Sequence, residues 1–521
     1  MSLTKVHNRM IDGAAVSVID FGADNTGATD STSAIQLALD SLSENSLLVF
    51  PAGKYLVSAN LTKSSVDNIT LTGYGAEIFE NGASLTGVFS FTSCDNLTIK
   101  GFDFLATENN TYFQANSPSE ERSFVFLSGC LYARLLDVTG TNKRRLATLL
   151  NCHNASSENY VFNGFFPAIS GGQVANANSH FAITYKACNE STVSNGRVSF
   201  CSGGFLCQST SETVSIRGVT GEEVQDAIVY ISSGKAVTIT GCNVFGSAGG
   251  GIIARGFNIT VTGCAIYNTD GNNGIRLTGA GTSLDSNGAN GYNLTATGNT
   301  LRDCKGSIIV GAADGYYPRD ITITGNTIGN DVSTGNLGAI EINTNVGGIV
   351  CSNNIIRTSA TDNGIVLTTG GSGTIEDVIC ANNFIEDVNG SSDSTRAGIR
   401  TGGTIADFTI TGNIFKSINS TIGVRVFTAS KGIVANNIYA AGVVVQTNVD
   451  GTTTDVLISG NKGTSLISAG QHCEIYFNDA SVTGFPATST TPLRRGLVTY
   501  SGGNIYMAKA ESASADWVQI N

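Results

Sequence analysis

The phrase "ITITGNTI", Ile321 to Ile328, decides how this chain is read, because it returns many times with its pattern intact. That pattern is apolar, polar, Gly or small, Asn, any residue, apolar. It stands again as "LTATGNTL", "IVCSNNII", "VICANNFI", "FTITGNIF", "GIVANNIY" and "VLISGNKG", and the reading assigns its asparagine to Asn299, Asn326, Asn353, Asn382, Asn413, Asn436 and Asn461. Earlier copies, "VTITGCNV" and "ITVTGCAI", put Cys242 and Cys264 in the same place. Weaker copies fall at Gly196 and Val219, and degenerate ones near Tyr74 and Phe102.

Clear copies lie from 22 residues apart (Cys242 to Cys264) to 35 (Cys264 to Asn299), too far for a hairpin and right for one turn of a coil of three short strands. A second apolar alternation sits between copies, as in "DAIVYIS", "GGIIARG", "NGIRLTG", "GAIEINT", "NGIVLTT", "AGIRTGG" and "IGVRVFT". Both phrases have the period of two that marks strands with one buried face, separated by turn residues. A repeat of this length with this patterning predicts a single-stranded parallel β-helix, a solenoid whose rungs stack at about 4.8 Å. At that spacing the asparagines stand above one another at a bend and bond through their amides.

Composition agrees. The 521 residues include 63 glycines, only 6 prolines and 13% charged residues, a profile of turn-rich β structure. A net charge of −12 argues against nucleic acid or an anionic membrane as partner. No apolar run is long enough to insert in a membrane. "MSLTKVHNRMIDG" lacks the apolar centre of a secretory signal. The 12 cysteines form no C-x-x-C pair and read as small buried residues of a protein made in a reducing compartment; no metal site or cofactor is expected.

A solenoid leaves an open end and exposed strand edges that something must cover. In "VIDFGADNTGATDSTSAIQLALD", Asp30, Ser31 or Thr32 is placed to cap a helix running to about Leu42, with Ala34, Ile35, Ala38, Leu39 and Leu42 on its apolar side. "LLVFPAGKYLV", Leu47 to Val57, then leads into the coil. The expected organisation is a leader over 1–15, the start of the coil with its capping helix over 16–57, the coil over 58–470 and a small β cap over 471–521. That cap follows a Pro/Thr/Ser-rich break near Phe485 to Pro492, carries the single tryptophan, Trp517, and reads as a trimer contact or a simple end cap.

"VSVIDFGADNTGATDSTSAIQLALD" followed by "LLVFPAGKYLV" resembles the opening motif of the pectate-lyase-like, right-handed β-helix superfamily, in the form found at the head of bacteriophage tailspikes. "TKVHNRMIDGAAVSVIDFGA" resembles the segment that leads into such helices. The resemblance implies a homotrimeric virion protein, attached to a phage tail or adaptor through its N-terminus. It further implies binding, and usually cleavage, of a bacterial surface polysaccharide such as capsule or O-antigen.

Glycosidases flank the scissile bond with two carboxylates, and a coil stack supplies suitable spacings by itself. Aligning strands on Ile228, Ile252, Ile275, Ile308 and Ile340 puts Glu223, Ser247, Asp270 and Asp303 on one line, with Asp226 just inside it. "YNTDGNNGI" and "LRDCKGSI" partly resemble the N-T-D and D-D motifs of polygalacturonases, although later motifs of that family are missing and N-T-D-G is also ordinary turn sequence. The candidate catalytic residues are therefore Asp270, Asp303, Glu223 and Asp226, with Glu341 as an alternative centre. The adjacent outward position reads Val229, Ile253, Arg276, Ile309, Glu341, Val366, Arg400 and Arg425. Arg276, Arg400 and Arg425 can grip acidic sugars, or they are solvated surface charge. Tyr230, Tyr316, Tyr317 and His180 are candidates for stacking on sugar rings. Endo-hydrolysis, lyase elimination and cleavage-free adhesion all remain compatible with these residues.

Overall fold

The computed structural model describes residues 15–107 apart from 82–84 and 86, then 122–164, 180–270 apart from 210, and from 273 to 519 chiefly the strands and their shortest turns. The fold is an all-β, right-handed parallel β-helix. The chain divides into two compact units, Met1–Gly271 and Asn272–Asn521, with 284–286 grouped with the first.

The first unit opens on the helix Thr32–Asp40, whose Ile35, Ala38 and Leu39 are buried; Leu42 is buried just beyond its end. Asp24 folds the preceding loop, its carboxylate accepting from Thr26, Ala28 and Thr29 backbone N–H groups, and the bonds from the Thr26 hydroxyl and the Thr26 and Thr29 N–H groups hold it well below the usual carboxylate range. Asp30 accepts from the Thr32 N–H at 2.8 Å, at the helix start. The helix then completes the edge of the strand Leu61–Ser64. The Gln36 side chain donates to the Thr62 carbonyl and accepts from the Thr62 N–H, both at 2.9 Å, as a preceding strand would. Lys63 Nζ reaches back to the carbonyls of Asp40 and Leu42. An edge filled in this way offers no template for another chain.

Three parallel sheets follow in this unit. The first runs from Leu61–Ser64 through Gly87–Thr92, Ser123–Ser128, Arg145–Leu150, Phe181–Lys186 and Gly203–Gln208 to the starts of Val229–Thr240 and Gly250–Thr262. The second includes Arg134–Leu136, Ser156–Glu158, Thr192–Ser194 and Ser215–Arg217. The third ends with Arg197–Ser199, Thr220–Val224, Asn243–Ser247 and Ala265–Thr269. Early rungs are filled by rings: Phe50, Phe89, Phe102 and Phe104 are buried with centroids 5.0 to 5.8 Å apart. Each such ring contributes roughly 1.5–3 kcal/mol by burial. Later rungs use Ile and Val.

The second unit repeats the scheme. Ile275, Ile308, Ile340, Ile365, Ile399 and Val424 pair in order along its first sheet, all fully buried, as the alignment of the sequence places the isoleucines. The asparagine stack lies at the turn between its second and third sheets, where each side chain accepts from the Asn before it and donates to the Asn after it. The bonds run Asn299 to Asn326 to Asn354 to Asn383 to Asn413 to Asn437 to Asn461, each Nδ2···Oδ1 at 2.9 or 3.0 Å. The members are therefore Asn354, Asn383 and Asn437, not Asn353, Asn382 and Asn436. Those three hold the left-handed residue of the turn, with φ of 55° to 57°, which Gly298, Gly325, Gly412 and Gly460 hold elsewhere. Gly-Asn and Asn-Asn are two spellings of one turn, because Asn tolerates the left-handed region better than other side-chain-bearing residues.

The last coil strand described, Cys473–Ile475, pairs in parallel with Thr454–Ser459. Val498–Ser501, Asn504–Ala508 and Trp517–Gln519 form a separate antiparallel sheet. The 11 cysteines whose side chains are described are all buried, as small apolar residues should be. Among the described residues no helix is long and apolar enough to cross a membrane.

Candidate functional site

The corner where the third sheet of the first unit turns into the first sheet gathers most of the predicted carboxylates. Val224, Ser247 and Thr269 pair across three successive rungs there. The backbone N–H of Ala248 donates to Val224 and that of Asp270 to Ser247, so Gln225, Ala248 and Asp270 form the next line. Glu223, Gly246 and Asn268 form the line before, all with left-handed φ. Asp270 thus stands two places further round the corner than Glu223, not on its line, and two rungs away from it.

One of those two places has a local cause. Val229, not Ile228, pairs with Ile252, and the Ile228 N–H donates to the Gly251 carbonyl at 2.9 Å. Both Ile228 and Val229 are buried, and Ile228 occupies room left by glycines: a Cβ on Gly221 or Gly204 would stand 2.4 or 3.0 Å from its Cδ1. Val229 therefore points inward, and Tyr230 holds the outward position between Leu206 and Ile253.

Asp226 is the buried acid of the corner, 4% exposed. Its Oδ2 accepts no hydrogen bond, and burial raises its pKa to about 6, against the attraction of Arg255. The backbone around it is fixed: Ser247 Oγ donates to the Asp226 carbonyl at 2.7 Å, and the Gly250 N–H donates to the same oxygen at 2.6 Å. Arg255 lies over the Tyr230 ring at 5.5 Å, and Tyr230 lies 6.1 Å from Phe181. Glu223 leans along the axis over Gly246, its Oε1 3.7 Å from where a Cβ would stand. Asp270 is exposed on the far side of the "GSAGGG" rung. A half-exposed carboxylate and a buried one on one rung, with an exposed one two rungs on, thus border a floor of small residues. Backbones two rungs apart are separated by about 10 Å, from which carboxyl groups reach the roughly 6.5–9.5 Å of an inverting pair.

The other candidates lie elsewhere. His180 is buried, one rung from Ser202, whose Oγ accepts its backbone N–H at 3.2 Å; that place does not offer its ring to an external sugar. In the second unit, Asp303 lies 3.5 Å from Arg302 Nε. Arg276, Ile309, Glu341, Val366, Arg400 and Arg425 do share one outward line, in that order. Ile309 and Val366 separate Glu341 from the arginines, while Arg400 and Arg425 are direct neighbours. Glu341 is 3% exposed, its pKa raised by burial although Asn343 Nδ2 donates to it at 3.2 Å. Tyr316 and Tyr317 lie outside the described residues.

Sequence reasoning missed Arg255, Phe245 and Tyr267. Their signal was phase: Phe245 and Tyr267 take the outward position of the third sheet, next to the predicted carboxylates.

Residues 15–253 match the family described as rhamnogalacturonase A/epimerase, pectate lyase-like, and residues 181–335 match the right-handed beta helix region. Both matches agree with the right-handed parallel β-helix fold. No curated protein matches its sequence. Among solved structures it is similar to the catalytic unit of a GH87 alpha-1,3-glucanase from Streptomyces thermodiastaticus, with 14% identity over 86% of this chain and 69% of that one, at a TM-score of 0.46. It is similar to an endo-xylogalacturonan hydrolase from Aspergillus tubingensis, with 14% identity over 63% of this chain and 95% of that one, at a TM-score of 0.45. It is also similar to the surface adhesin PfbA of Streptococcus pneumoniae, with 14% identity over 78% and 98% and a TM-score of 0.41. Likenesses at this level assign no residue and no substrate.

Proposed function

We propose that this protein is a phage tailspike that binds a bacterial surface polysaccharide, capsule or O-antigen, and hydrolyses it within the chain. The observation that carries the reading is Asp226, a buried carboxyl with one oxygen free of hydrogen bonds and a pKa raised to about 6, at a small-residue corner it shares with Glu223 and Asp270. Hydrolysis of a glycosidic bond needs one carboxyl that is protonated near neutral pH and a second that is ionised to activate water. Asp226 supplies the proton to the leaving oxygen, and exposed Asp270, two rungs on, takes a proton from the attacking water. Glu223 lines the same floor. The match of residues 15–253 to a pectate-lyase-like family is consistent with a glycan substrate.

The tailspike role, the virion location and attachment to a phage tail or adaptor through the N-terminus rest on the opening motif. Assembly into a homotrimer is part of the same reading. A stripe of exposed isoleucines in the second unit supports it: Ile355, Ile414 and Ile438 on the third sheet, and Ile379 and Ile433 on the second, are each 38–45% exposed.

Release of reducing ends from the host polysaccharide by the wild type, and its loss in Asp226→Asn and Asp270→Asn proteins that melt no lower than wild type, is the expected result. Full activity in both variants would remove this site. Elimination is the second reading, favoured by the Arg255 guanidinium beside Asp226, since a lyase needs a base next to a cation. An absorbance rise near 235 nm with ~1:1 product stoichiometry would select it over hydrolysis.

A further inference from the structure

The outward line of the third sheet in the first unit changes character at this corner. It reads Thr141, Asn163, Ser199 and Glu222, polar on four successive rungs, then Phe245 and Tyr267. Phe245 is 62% exposed, more than any other large apolar side chain among the described residues. The Tyr267 ring lies beside it with centroids 6.3 Å apart. A single exposed ring needs no explanation, but two on adjacent rungs, rimmed by polar groups and leading to an unsatisfied buried carboxylate, mark a surface shaped for a ligand.

The charges say which ligand. Glu222, Glu223, Asp226 and Asp270 stand on the three rungs that carry or border the two rings. The guanidinium acting on this corner, Arg255, is engaged with Asp226 and Tyr230. Such a rim repels carboxylates, sulfates and phosphates, and neither ring is harmed by a neutral neighbour.

Building on the hydrolase reading, we infer that Phe245 and Tyr267 form a stacking platform for pyranose rings that bear no acidic groups, delivered across the corner between Asp226 and Asp270. The apolar face of each sugar lies on the rings, and its hydroxyl edge meets the carboxylates as hydrogen-bond donor. This differs from the expectation that arginines select uronates. That line of arginines belongs to the second unit.

The test is binding to an array of immobilised oligosaccharides of three kinds: neutral glucans, mannans and galactans, N-acetylhexosamine polymers, and acidic oligogalacturonates and oligoalginates. Wild type, Phe245→Ala and Tyr267→Ala are compared at low and physiological ionic strength. Bound members are expected to be non-acidic, with affinity falling about 2- to 10-fold for each lost ring and changing little with salt. Acidic members bound in preference, unchanged binding by both variants, or no member bound at all would each overturn the platform. Kinetics on a bound glycan separates the two claims. If wild type binds it through the rings and never cleaves it, the hydrolase reading fails and the platform stands. If it is cleaved with unchanged KM in both ring variants, the platform fails and the hydrolase reading stands.

Discussion

Asp226 couples chemistry to stability. Its folded pKa, about 6, lies above the value of 3.8 expected when it is unfolded, so its contribution favours the fold fully below pH ~3.8 and is lost as pH rises through ~6. At pH 7 the ionised form costs about 2–3 kcal/mol relative to a neutral group. Asp226→Asn should therefore abolish cleavage and raise the melting temperature at pH 7, with no gain near pH 3; a variant destabilised at both pH values would show that the carboxylate is favourably held. Arg255 draws the pKa down, so Arg255→Met should shift the alkaline limb of kcat upward, read from a pH–rate profile. A limb that stays in place would mean that Asp226 is not the titrating acid. At this scale the sequence revealed which carboxylates crowd one corner. It hid their register, because the adjacent buried pair Ile228 and Val229 and the yielding glycines Gly204 and Gly221 break a count made on isoleucines.

Among the elements, the asparagine stack gives the sharpest test of register. Asn383 donates to the Asn413 side chain and the Cys351 carbonyl, and its Oδ1 accepts both the N–H and the amide of Asn354. Asn354→Ala or Asn383→Ala orphans buried polar groups at about 1–3 kcal/mol for each, while Asn353→Gly replaces one left-handed residue by the commonest alternative and should stay within about 1 kcal/mol of wild type. Chemical denaturation of these variants checks it, and equal losses at Asn353 and Asn354 would contradict the observed ladder. The repeat phrase was legible because its apolar flanks are regular. Which of two consecutive asparagines turns inward was not, since both suit the turn and only the strand phase decides.

For the whole molecule, the capping helix and the coil could be read from pattern alone: a helical period ahead of a period of two admits few other packings. The division at Gly271 left no compositional mark. Tyr316 and Tyr317 illustrate the other limit, for "AADGYYPRD" contains no copy of the repeat phrase against which to align them. Self-association belongs to this scale. If a second copy covers the isoleucine stripe, Ile355→Lys combined with Ile414→Lys should convert an assembly to monomer by light scattering, with each subunit still folded. An assembly unchanged by both substitutions would place the interface elsewhere.

The most direct test of the central claim is product analysis after the protein is mixed with purified surface polysaccharides from a panel of bacteria. Reducing-end assay and mass spectrometry should find, for one host, oligosaccharides of repeat-unit mass with new saturated ends, made by wild type and not by Asp226→Asn. Polymer bound without any fall in size, or identical oligosaccharides from wild type and Asp226→Asn, would contradict it.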